Sequence, residues 1–253
     1  MATRMDINAD MGESFGRWTL GNDAELMPYL TSANIACGYH GGDPHVMRAT
    51  VKLAKQHGVG VGAHVSLPDL MGFGRRRMAI LPQELKDYVV YQVGALMGFA
   101  RAEGAQIQHV KPHGAMYVMC SDNDDYAEAV VSAIKELGGE LILLLTGQRV
   151  ARAAQSMGVP FVMEGYVDLD YDKRGELILE RAKKPRDPEH VAGRAVMLAC
   201  EGKVPVRDGG SLPLAARSVC IHGDAPNAAE IAKATREHLM RAGVEPVSLR
   251  DLL

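Results

Sequence analysis

The sequence lacks several patterns that would assign it to well-known protein classes. It has no G-x-x-x-x-G-K-[ST] or G-x-G-x-x-G phosphate-binding loop at a strand–helix junction, and no G-x-S-x-G turn that would carry a catalytic serine. No apolar run approaches the roughly 20 residues that span a bilayer. These absences argue against a nucleotide site of a known type in this chain, a serine hydrolase and a membrane protein.

The chain also lacks a strong excess of charge of either sign. Its 28 Lys and Arg residues and 31 Asp and Glu residues leave a formal net charge of −3. Nucleic acids and anionic membrane surfaces are bound by strongly basic patches, so we expect neither partner. The stretch from Met1 to Asp6 lacks the apolar core of a signal peptide, which predicts a cytoplasmic protein.

Cysteine is scarce and shows no pattern of pairing. The 4 cysteines have no C-x-x-C spacing, and both Cys37 and Cys220 fall within apolar runs that read as strands. Cysteines in such positions are typically small buried hydrophobic residues with free thiols. We therefore expect reduced cysteines in the core.

The chain of 253 residues is long enough for one large α/β domain, and we treat residues 1–253 as a single domain. Apolar runs predict strands at Met5–Asp10, Ser32–Cys37, Val59–His64, Ile107–Pro112, Glu140–Leu145, Val159–Glu164 and Ser218–His222. Helical spacing predicts helices at Ala24–Leu30, Pro44–His57, Pro82–Glu103, Asn123–Leu137, Gln148–Met157, Pro188–Gly202 and Ala225–Ala242. Gly165–Asp187 is irregular and suits a hairpin or flap, and Val244–Leu253 suits a final short strand. Regular alternation of strands and helices predicts a parallel sheet.

Polar residues mark the carboxyl ends of most of these strands. The residues in these positions are Asp10, His40, His64, His113, Glu164 and His222. In a barrel such residues converge on one point more easily than across an open doubly wound sheet. Both architectures fit the alternation, and the ring of polar ends favours an incomplete (βα) barrel of seven or eight strands.

The stretch Asn34–Pro44 shows the repeated motif most clearly. A buried strand ends in a glycine-rich bend that carries His40, and a helix follows with Asp43 as its N-cap and Pro44 as its first residue. Ile221–Pro226 repeats this order, and a third His-Gly pair follows an apolar run at His113. Repetition at strand ends predicts one shared site.

Four of the nine histidines, His40, His64, His113 and His222, end strands. The other five read as surface or helix-end residues: His45, His57, His109, His190 and His238. With Asp6 or Asp10 the strand-end histidines could bind a metal ion, and without one they could transfer protons. The sequence leaves both alternatives open.

The first strand is unusually polar. Asp6, Asn8 and Asp10 would share one of its faces, and Glu13 follows in a loop. One interpretation is an edge strand with solvated carboxylates. The other is a group of carboxylates that faces the histidines and orients them or acts as a general base.

Four further residues have both a functional and a structural interpretation. Asp43 and Asp224 precede proline-started helices, so they are either caps or site residues. Lys111 either points inward, where it would favour an anion, or extends its ammonium to the surface. Arg75 lies in a Gly/Arg loop that either holds a carboxylate or phosphate or is simply solvated.

The blocks Met5–Arg17, Ser32–Pro44, Gly62–His64, Pro68–Arg76, His109–Tyr117 and His222–Pro226 resemble the LamB/YcsF family in order and spacing. The resemblance implies a seven-stranded (β/α) barrel of the glycoside hydrolase/deacetylase type. It also implies the A subunit of an ATP-dependent 5-oxoprolinase, which opens the 5-oxoproline lactam to L-glutamate together with the B and C subunits. ATP would act through these partners, since phosphorylation of the lactam oxygen makes a better electrophile.

The resemblance also suggests a role for each candidate site residue. The candidates for activating water or protonating the ring nitrogen are Asp10, His40, His64, His113 and Asp224. The candidates for binding substrate are Asp6, Asn8, Glu13, Asp43, Arg75, Lys111, Glu164 and His222. The candidate ligands of a divalent metal are His40, His64 and Asp10. A homo-oligomer is also compatible with the sequence.

Two blocks depart from the family pattern. Val65–Leu67 stands where the family has Pro-Gly-Tyr, and Leu169 stands where it has arginine. Both blocks end strands, so either departure could change the substrate. Two alternatives to the oxoprolinase role therefore stay open: a stand-alone metal-dependent amidohydrolase or deacetylase acting on another cyclic amide, and a substrate-binding subunit without catalysis.

Overall fold

The structure is a computed structural model that describes residues 3–178 and 184–253. Its strands are β1 (Thr3–Met11), β2 (Ser32–Ala36), β3 (Gly60–Val65), β4 (Ile107–Pro112), β5 (Ile142–Leu145), β6 (Phe161–Tyr166), β7 (Asp170–Tyr171), β8 (Leu177–Ile178), β9 (Lys203–Pro205), β10 (Ser211–Pro213), β11 (Ser218–Ile221) and β12 (Val244–Pro246). Its helices are α1 (Asp23–Leu26), α2 (Pro44–Gln56), α3 (Pro82–Ala102), α4 (Gly114–Asp122), α5 (Asp124–Leu137), α6 (Gln148–Met157), α7 (Pro188–Glu201), α8 (Ala228–Arg241) and α9 (Leu249–Leu252). None of the described helices is both long enough and apolar enough to cross a membrane.

The main sheet has the strand order β11-β6-β5-β4-β3-β2-β1-β12, and β1 also pairs with β11. This extra pairing is parallel, with Asp6 opposite Ser218 and Ala9 opposite Ile221, and it closes a seven-stranded ring. The predicted (β/α) barrel is confirmed, and the open-sheet alternative is wrong. The predicted final strand is β12, which lies parallel to the start of β1.

The chain divides into two compact units that interleave along the sequence. The first, called the histidine unit, consists of Asp10–Leu20 and Ala33–Met163. The second, called the terminal unit, consists of Met1–Ala9, Gly21–Ser32 and Glu164–Leu253.

In the histidine unit, the apolar faces of helices cover buried strands. Helix α2 buries Met47, Val51 and Ala54 at helical spacing, and β5 is fully buried along its length. Helix α5 packs between α3 and α6. In the terminal unit, α7 packs against α8. Burial of these apolar side chains is the main driving force for folding of each unit.

Several elements differ from the predictions. Helix α4 was not predicted, since no side chain caps its start and the sequence therefore carries no N-cap signal. Its first residue is Gly114, which has a left-handed φ of +54°. The predicted helix at Ala24–Leu30 is α1 followed by a 3-10 turn at Met27–Tyr29. The predicted hairpin is β7 with β8, and residues 179–183 of that segment lie outside the described residues. The hairpin of β9 with β10 is a further element without a sequence prediction. Helix α9 corrects the prediction for Val244–Leu253, because only Val244–Pro246 of that range is a strand.

Gly62 on β3 is expected to be intolerant of substitution. A Cβ at this position would lie 2.0 Å from Nε2 of His109, which is fully buried. Gly62→Ala should therefore lower the free energy of unfolding by about 1–3 kcal/mol, the usual cost of overpacking a core. Denaturant unfolding measures the change. Gly94→Ala is the control, since its Cβ would meet nothing within 4 Å on helix α3 and should raise stability by about 0.5–1 kcal/mol. Equal effects of the two substitutions would contradict the prediction.

Candidate active site

Four potential proton-transfer or metal-binding side chains meet in the histidine unit. Glu13 follows β1, His40 follows β2, His64 lies near the end of β3, and His113 follows β4. One ligand atom from each of the four lies within 4.8 Å of the others, and all four residues are buried. The predicted convergence of strand ends on one place is thus found for three of the four strand-end histidines. We call these four residues the His/Glu cluster.

The bend that carries His40 depends on glycine. Gly42 has a left-handed φ of +76°, and a Cβ there would lie 2.7 Å from the carbonyl oxygen of Ala36. Helix α2 then starts at Pro44, and the Asp43 carboxylate accepts hydrogen bonds from the backbone N–H groups of His45 and Val46. These hydrogen bonds hold the pKa of Asp43 below its usual value. The capping interpretation of Asp43 is therefore confirmed.

The rings of His64 and His113 have fixed orientations. His64 Nδ1 lies 3.0 Å from the carbonyl oxygen of Lys111, and His113 Nε2 lies 2.9 Å from that of Phe73. The remaining nitrogens, His64 Nε2 and His113 Nδ1, face each other at 3.0 Å. Burial lowers the pKa of His113 well below its usual value, with a further contribution from His64. Both rings are therefore held with one nitrogen toward the centre of the cluster.

His40, the third histidine of the cluster, contacts Glu13. Its Nε2 lies 3.1 Å from Oε1 of Glu13, and its ring stacks on that of His113 with the centroids 3.9 Å apart. Burial, and then the neighbouring His113 and His64, keep the pKa of His40 well below its usual value. His40 Nδ1 is buried and has no hydrogen-bond partner among the described residues. The ring is thus predominantly neutral near pH 7.

A network of buried polar side chains contacts the cluster at His64. Lys111 is 1% exposed, and its Nζ lies 3.1 Å from Oδ1 of Asp10, which is also 3.3 Å from Nε2 of His64. Asn34 Nδ2 donates to the same Asp10 oxygen at 2.9 Å, and Nε2 of His109 lies 2.7 Å from Oδ1 of Asn34. Lys111 therefore points inward. The alternative, in which its ammonium extends to the surface, is wrong.

His109 corrects one prediction, and Asn34 is a site residue that sequence reasoning missed. The sequence predicts His109 at the surface, yet it is fully buried, and burial lowers its pKa to about 3. The missed signal is its spacing on β4, where His109 and Lys111 are two residues apart and so share one face of the strand. His45, His57 and His190 are exposed as predicted, and His238 is partly exposed.

The loop after β3 lies over the cluster. Phe73 has a left-handed φ of +54°, and its ring meets those of His40 and His113 edge-on at 5.4 and 5.1 Å. The guanidinium of Arg75 lies 5.0 Å from the centre of the Phe73 ring and is exposed to solvent. An exposed guanidinium beside the histidines suits recognition of an anion.

Val65–Leu67, which stands in place of the Pro-Gly-Tyr of the family pattern, is buried where β3 passes into this loop. The backbone N–H of Ser66 donates to the side chain of Gln92, and Leu67 is fully buried. The segment therefore belongs to the packed interior of the histidine unit.

In the terminal unit, the first strand carries a buried polar network of its own. The carboxylate of Asp6 accepts hydrogen bonds from the hydroxyls of Thr31 at 2.7 Å, Ser32 at 2.5 Å and Ser218. Asn8 Nδ2 lies 2.8 Å from Oγ of Ser218. Neither Asp6 nor Asn8 is exposed, because β1 is paired on both sides in the ring. The interpretation of β1 as a solvated edge strand is wrong.

Asp6 should make stability depend on pH in a measurable way. Burial raises its pKa from 3.8 to about 6, although three hydroxyl donors oppose the shift. Between these two pH values the unfolded chain ionises while folded Asp6 stays protonated, so folding stability falls as pH rises. Each pKa unit corresponds to about 1.4 kcal/mol. Asp6→Asn should therefore gain about 2–2.5 kcal/mol relative to the wild type between pH 4 and pH 7.

Urea unfolding at several pH values measures this difference. Asp208→Asn is the matched control, because Asp208 is an exposed carboxylate in the same unit and solvent screens its charge. Its stability relative to the wild type should change little over the same range. A constant difference between Asp6→Asn and the wild type from pH 4 to pH 7 would contradict the prediction.

The remaining predicted site residues also belong to the terminal unit. Glu164 is fully buried and accepts hydrogen bonds from Asn8 Nδ2 at 3.3 Å and from the Tyr166 hydroxyl at 3.2 Å. His222 Nδ1 lies 3.0 Å from both carboxylate oxygens of Asp168, a partner that the sequence did not single out. An aspartate at this position fixes the orientation of the imidazole.

Asp224 does not cap a helix, so that interpretation is wrong. Helix α8 starts at Ala228 with Asn227 as its N-cap, because the chain makes a turn after His222 before the helix begins. Leu169, the second departure, is buried, and its carbonyl oxygen accepts a hydrogen bond from the Arg194 guanidinium. Arg194 also contacts Asp170 at 3.2 Å.

One cysteine contacts the His/Glu cluster: the Cys37 sulfur has a hydrogen bond with the backbone of His64. All four cysteines are free, and Cys37, Cys120 and Cys220 are buried whereas Cys200 is exposed. Burial raises the pKa of the Cys37 thiol to about 12, so it stays protonated. The prediction of reduced core cysteines is confirmed for Cys37 and Cys220.

Comparison with known proteins gives a consistent result over almost the whole chain. The model of the LamB/YcsF family matches residues 5–253. The chain is 46% identical over 254 residues to the A subunit of 5-oxoprolinase from Pyrococcus abyssi, with 99% of each chain covered. It is 47% identical over 242 residues to the A subunit of 5-oxoprolinase from Nocardia farcinica, with 95% of this chain and 97% of the relative covered.

A solved structure extends the similarity to three dimensions. The crystal structure of the lactam utilization protein from Thermus thermophilus superimposes with a TM-score of 0.89 at 43% identity. The alignment covers 97% of this chain and 100% of that chain. The similarity therefore includes both the histidine unit and the terminal unit.

Proposed function

The chain belongs to the LamB/YcsF family, and on that premise we propose that it is the A subunit of a 5-oxoprolinase, which opens the lactam of 5-oxoproline to L-glutamate. The observation that carries the proposal is the near-full-length identity of 46–47% to relatives that bear this name. The lactam utilization protein, with a TM-score of 0.89, supports the same class of substrate. The proposed enzyme is thus a hydrolase that acts on a cyclic amide.

We propose that ATP enters the reaction through the partner B and C subunits. A lactam is an unreactive amide, and transfer of a phosphoryl group to its oxygen would make its carbonyl carbon electrophilic. Water then adds to that carbon, and the carbon–nitrogen bond breaks as the nitrogen takes a proton, which leaves an acyl phosphate. A second water hydrolyses the acyl phosphate to inorganic phosphate and the side-chain carboxylate of L-glutamate. The chain has none of the common phosphate-binding loops, in keeping with phosphorylation on a partner.

The histidine unit supplies groups for the hydrolytic half of this scheme. A base must take a proton from water and an acid must protonate the ring nitrogen. His64 lies within hydrogen-bond distance of both His113 and Asp10, so protons can pass among the three. Arg75 is the better candidate for the substrate carboxylate or phosphate, because Lys111 is buried against Asp10.

Substrate must reach a cluster that is almost closed to solvent. His40 is 1% exposed and His64 is fully buried, with the Phe73 segment lying over them. We propose that the loop after β3 moves when substrate binds, and that Arg75 on this loop follows the anion inward. Closure of the loop would then exclude bulk water from the activated intermediate.

The test is release of glutamate from 5-oxoproline by the purified chain, with and without ATP and with and without the B and C subunits. We expect glutamate only when ATP and both partners are present. Glutamate from the chain alone would overturn the proposal in favour of a stand-alone amidohydrolase. Failure of the complete mixture on 5-oxoproline but success on another lactam would instead assign a different substrate.

A stand-alone metal-dependent hydrolase is the second candidate, because the His/Glu cluster offers ligands for a divalent ion. Chelation separates the two candidates. Activity of the chain alone that disappears with a chelator and returns with added Zn²⁺ would favour this alternative. We also propose a cytoplasmic location, which suits three buried free cysteines.

A further inference from the structure

We propose that Glu13, His40, His64 and His113 bind one divalent transition-metal ion of the zinc class. The ligand set differs from the sequence prediction of His40, His64 and Asp10, because Asp10 is engaged by Lys111 and Asn34. The inference concerns the same site as the proposed function, and its test measures metal binding by the chain alone. The two proposals can therefore fail separately.

The first argument comes from the hydrogen atoms of His64 and His113. A carbonyl oxygen can only accept, so Nδ1 of His64 and Nε2 of His113 must each carry the proton that they donate. A neutral imidazole has only one N–H group. When both rings are neutral, His64 Nε2 and His113 Nδ1 present lone pairs to each other across 3.0 Å, and a carboxylate oxygen of Asp10 lies 3.3 Å from the same His64 nitrogen. A cation at this point, a proton or a metal ion, removes the repulsion.

The second argument comes from His40. Its Nε2 lies 3.1 Å from Oε1 of Glu13, and the same oxygen lies 3.8 Å from Nδ1 of His113, so Nε2 is the His40 nitrogen on the side of the other ligands. Three imidazoles and one carboxylate form a donor set that is typical of zinc and related ions.

The third argument is distance. Zinc binds imidazole nitrogen at about 2.0–2.1 Å, so two nitrogens on one tetrahedral ion lie about 3.3 Å apart. The facing nitrogens of His64 and His113 are 3.0 Å apart, and His113 Nδ1 is 3.8 Å from Oε1 of Glu13. Shifts of a few tenths of an ångström would bring these atoms to ligand spacing.

The backbone hydrogen bonds of the two rings fit this role as well. Metal-bound histidines usually donate their other ring N–H to a carbonyl or carboxylate, which orients the ring and fixes the tautomer. The carbonyls of Lys111 and Phe73 do this for His64 and His113. A bound ion of this class would lower the pKa of a coordinated water and polarise a carbonyl oxygen.

The test strips the purified chain with a chelator and titrates it with Zn²⁺ and with Co²⁺ by calorimetry. We expect one ion per chain, and a Co²⁺ absorption spectrum typical of nitrogen and oxygen ligands in tetrahedral geometry. Glu13→Gln and His113→Gln should each weaken binding at least 10–100-fold, about the loss caused by removing even an outer-shell partner. His57→Gln is the matched control, because His57 is exposed at the end of helix α2.

Two results would overturn the proposal. One is a wild-type chain that is folded by circular dichroism and binds neither ion with at least micromolar affinity. A shared proton between His64 and His113 would then explain their approach. The other is a Co²⁺ spectrum of the hydrated octahedral ion, or an equal loss of binding in His57→Gln and His113→Gln. The wild-type spectrum reports the ligands directly, so the test stands even where a variant does not fold.

Discussion

Replacing His113 with Gln is expected to lower kcat for 5-oxoproline opening by the reconstituted complex by about 10²–10⁴-fold, the usual loss when a proton-transfer group is removed. Glutamine can keep the hydrogen bond to the Phe73 carbonyl, but it cannot supply the imidazole Nδ1 that faces His64. Substrate binding should change less than turnover, because Arg75 stays in place. Steady-state glutamate release gives kcat and KM separately.

The control for this prediction is His57→Gln, which should keep the wild-type kcat because His57 is exposed at the end of helix α2. The same experiment tests the alternative of a non-catalytic binding subunit. In that case His113→Gln would alter KM and leave kcat within a few-fold of the wild type. A variant that keeps more than one-tenth of the wild-type kcat would contradict a catalytic role for His113.

Asp10→Asn is expected to lower the free energy of unfolding by about 3–5 kcal/mol, the range for breaking a buried ion pair from one side. Asp10 and Lys111 are 7% and 1% exposed, and Nζ lies 3.1 Å from the carboxylate oxygen. Without the negative charge, the ammonium of Lys111 loses its contacting carboxylate in a low-dielectric interior. Urea unfolding monitored by circular dichroism measures the change.

A double-mutant cycle makes this prediction specific to the pair. Lys111→Met in the Asp10→Asn background removes the buried cation and should recover part of the lost stability. Arg149→Met is the control, because Arg149 pairs with Asp124 at the surface and its loss should cost no more than about 1 kcal/mol. Additive losses for Asp10→Asn and Lys111→Met would show that the two residues are not coupled.

Local sequence was sufficient where one short-range rule decides the structure. The order Asp43–Pro44 predicted the start of helix α2, since capping and a proline at the first position act within one turn. The alternation of strands and helices, together with the polar strand ends, predicted the barrel and placed His40, His64 and His113 at one site. Each of these histidines lies where a strand gives way to the following segment, and that position is visible in the sequence.

The sequence failed where the environment of a side chain depends on residues far along the chain. His109 was predicted to be exposed because its neighbours gave no sign that Asn34, 75 residues earlier, would lie 2.7 Å away. Asp6 and Asn8 were compatible with an edge strand until the pairing of β1 with β11 buried them. Burial of a polar group is decided by which strands become neighbours, a property of the whole sheet.

The sequence by itself determined the family, the alternation of elements and the candidate site residues at the strand ends, because these follow from local order and spacing. Tertiary structure alone decided which candidates meet. In the folded chain Glu13 lies beside three histidines, Lys111 forms an ion pair with Asp10, and Asp168 contacts the ring of His222. These pairings bring together residues from different strands and loops. Their energies depend on distance and burial, which only the folded chain defines.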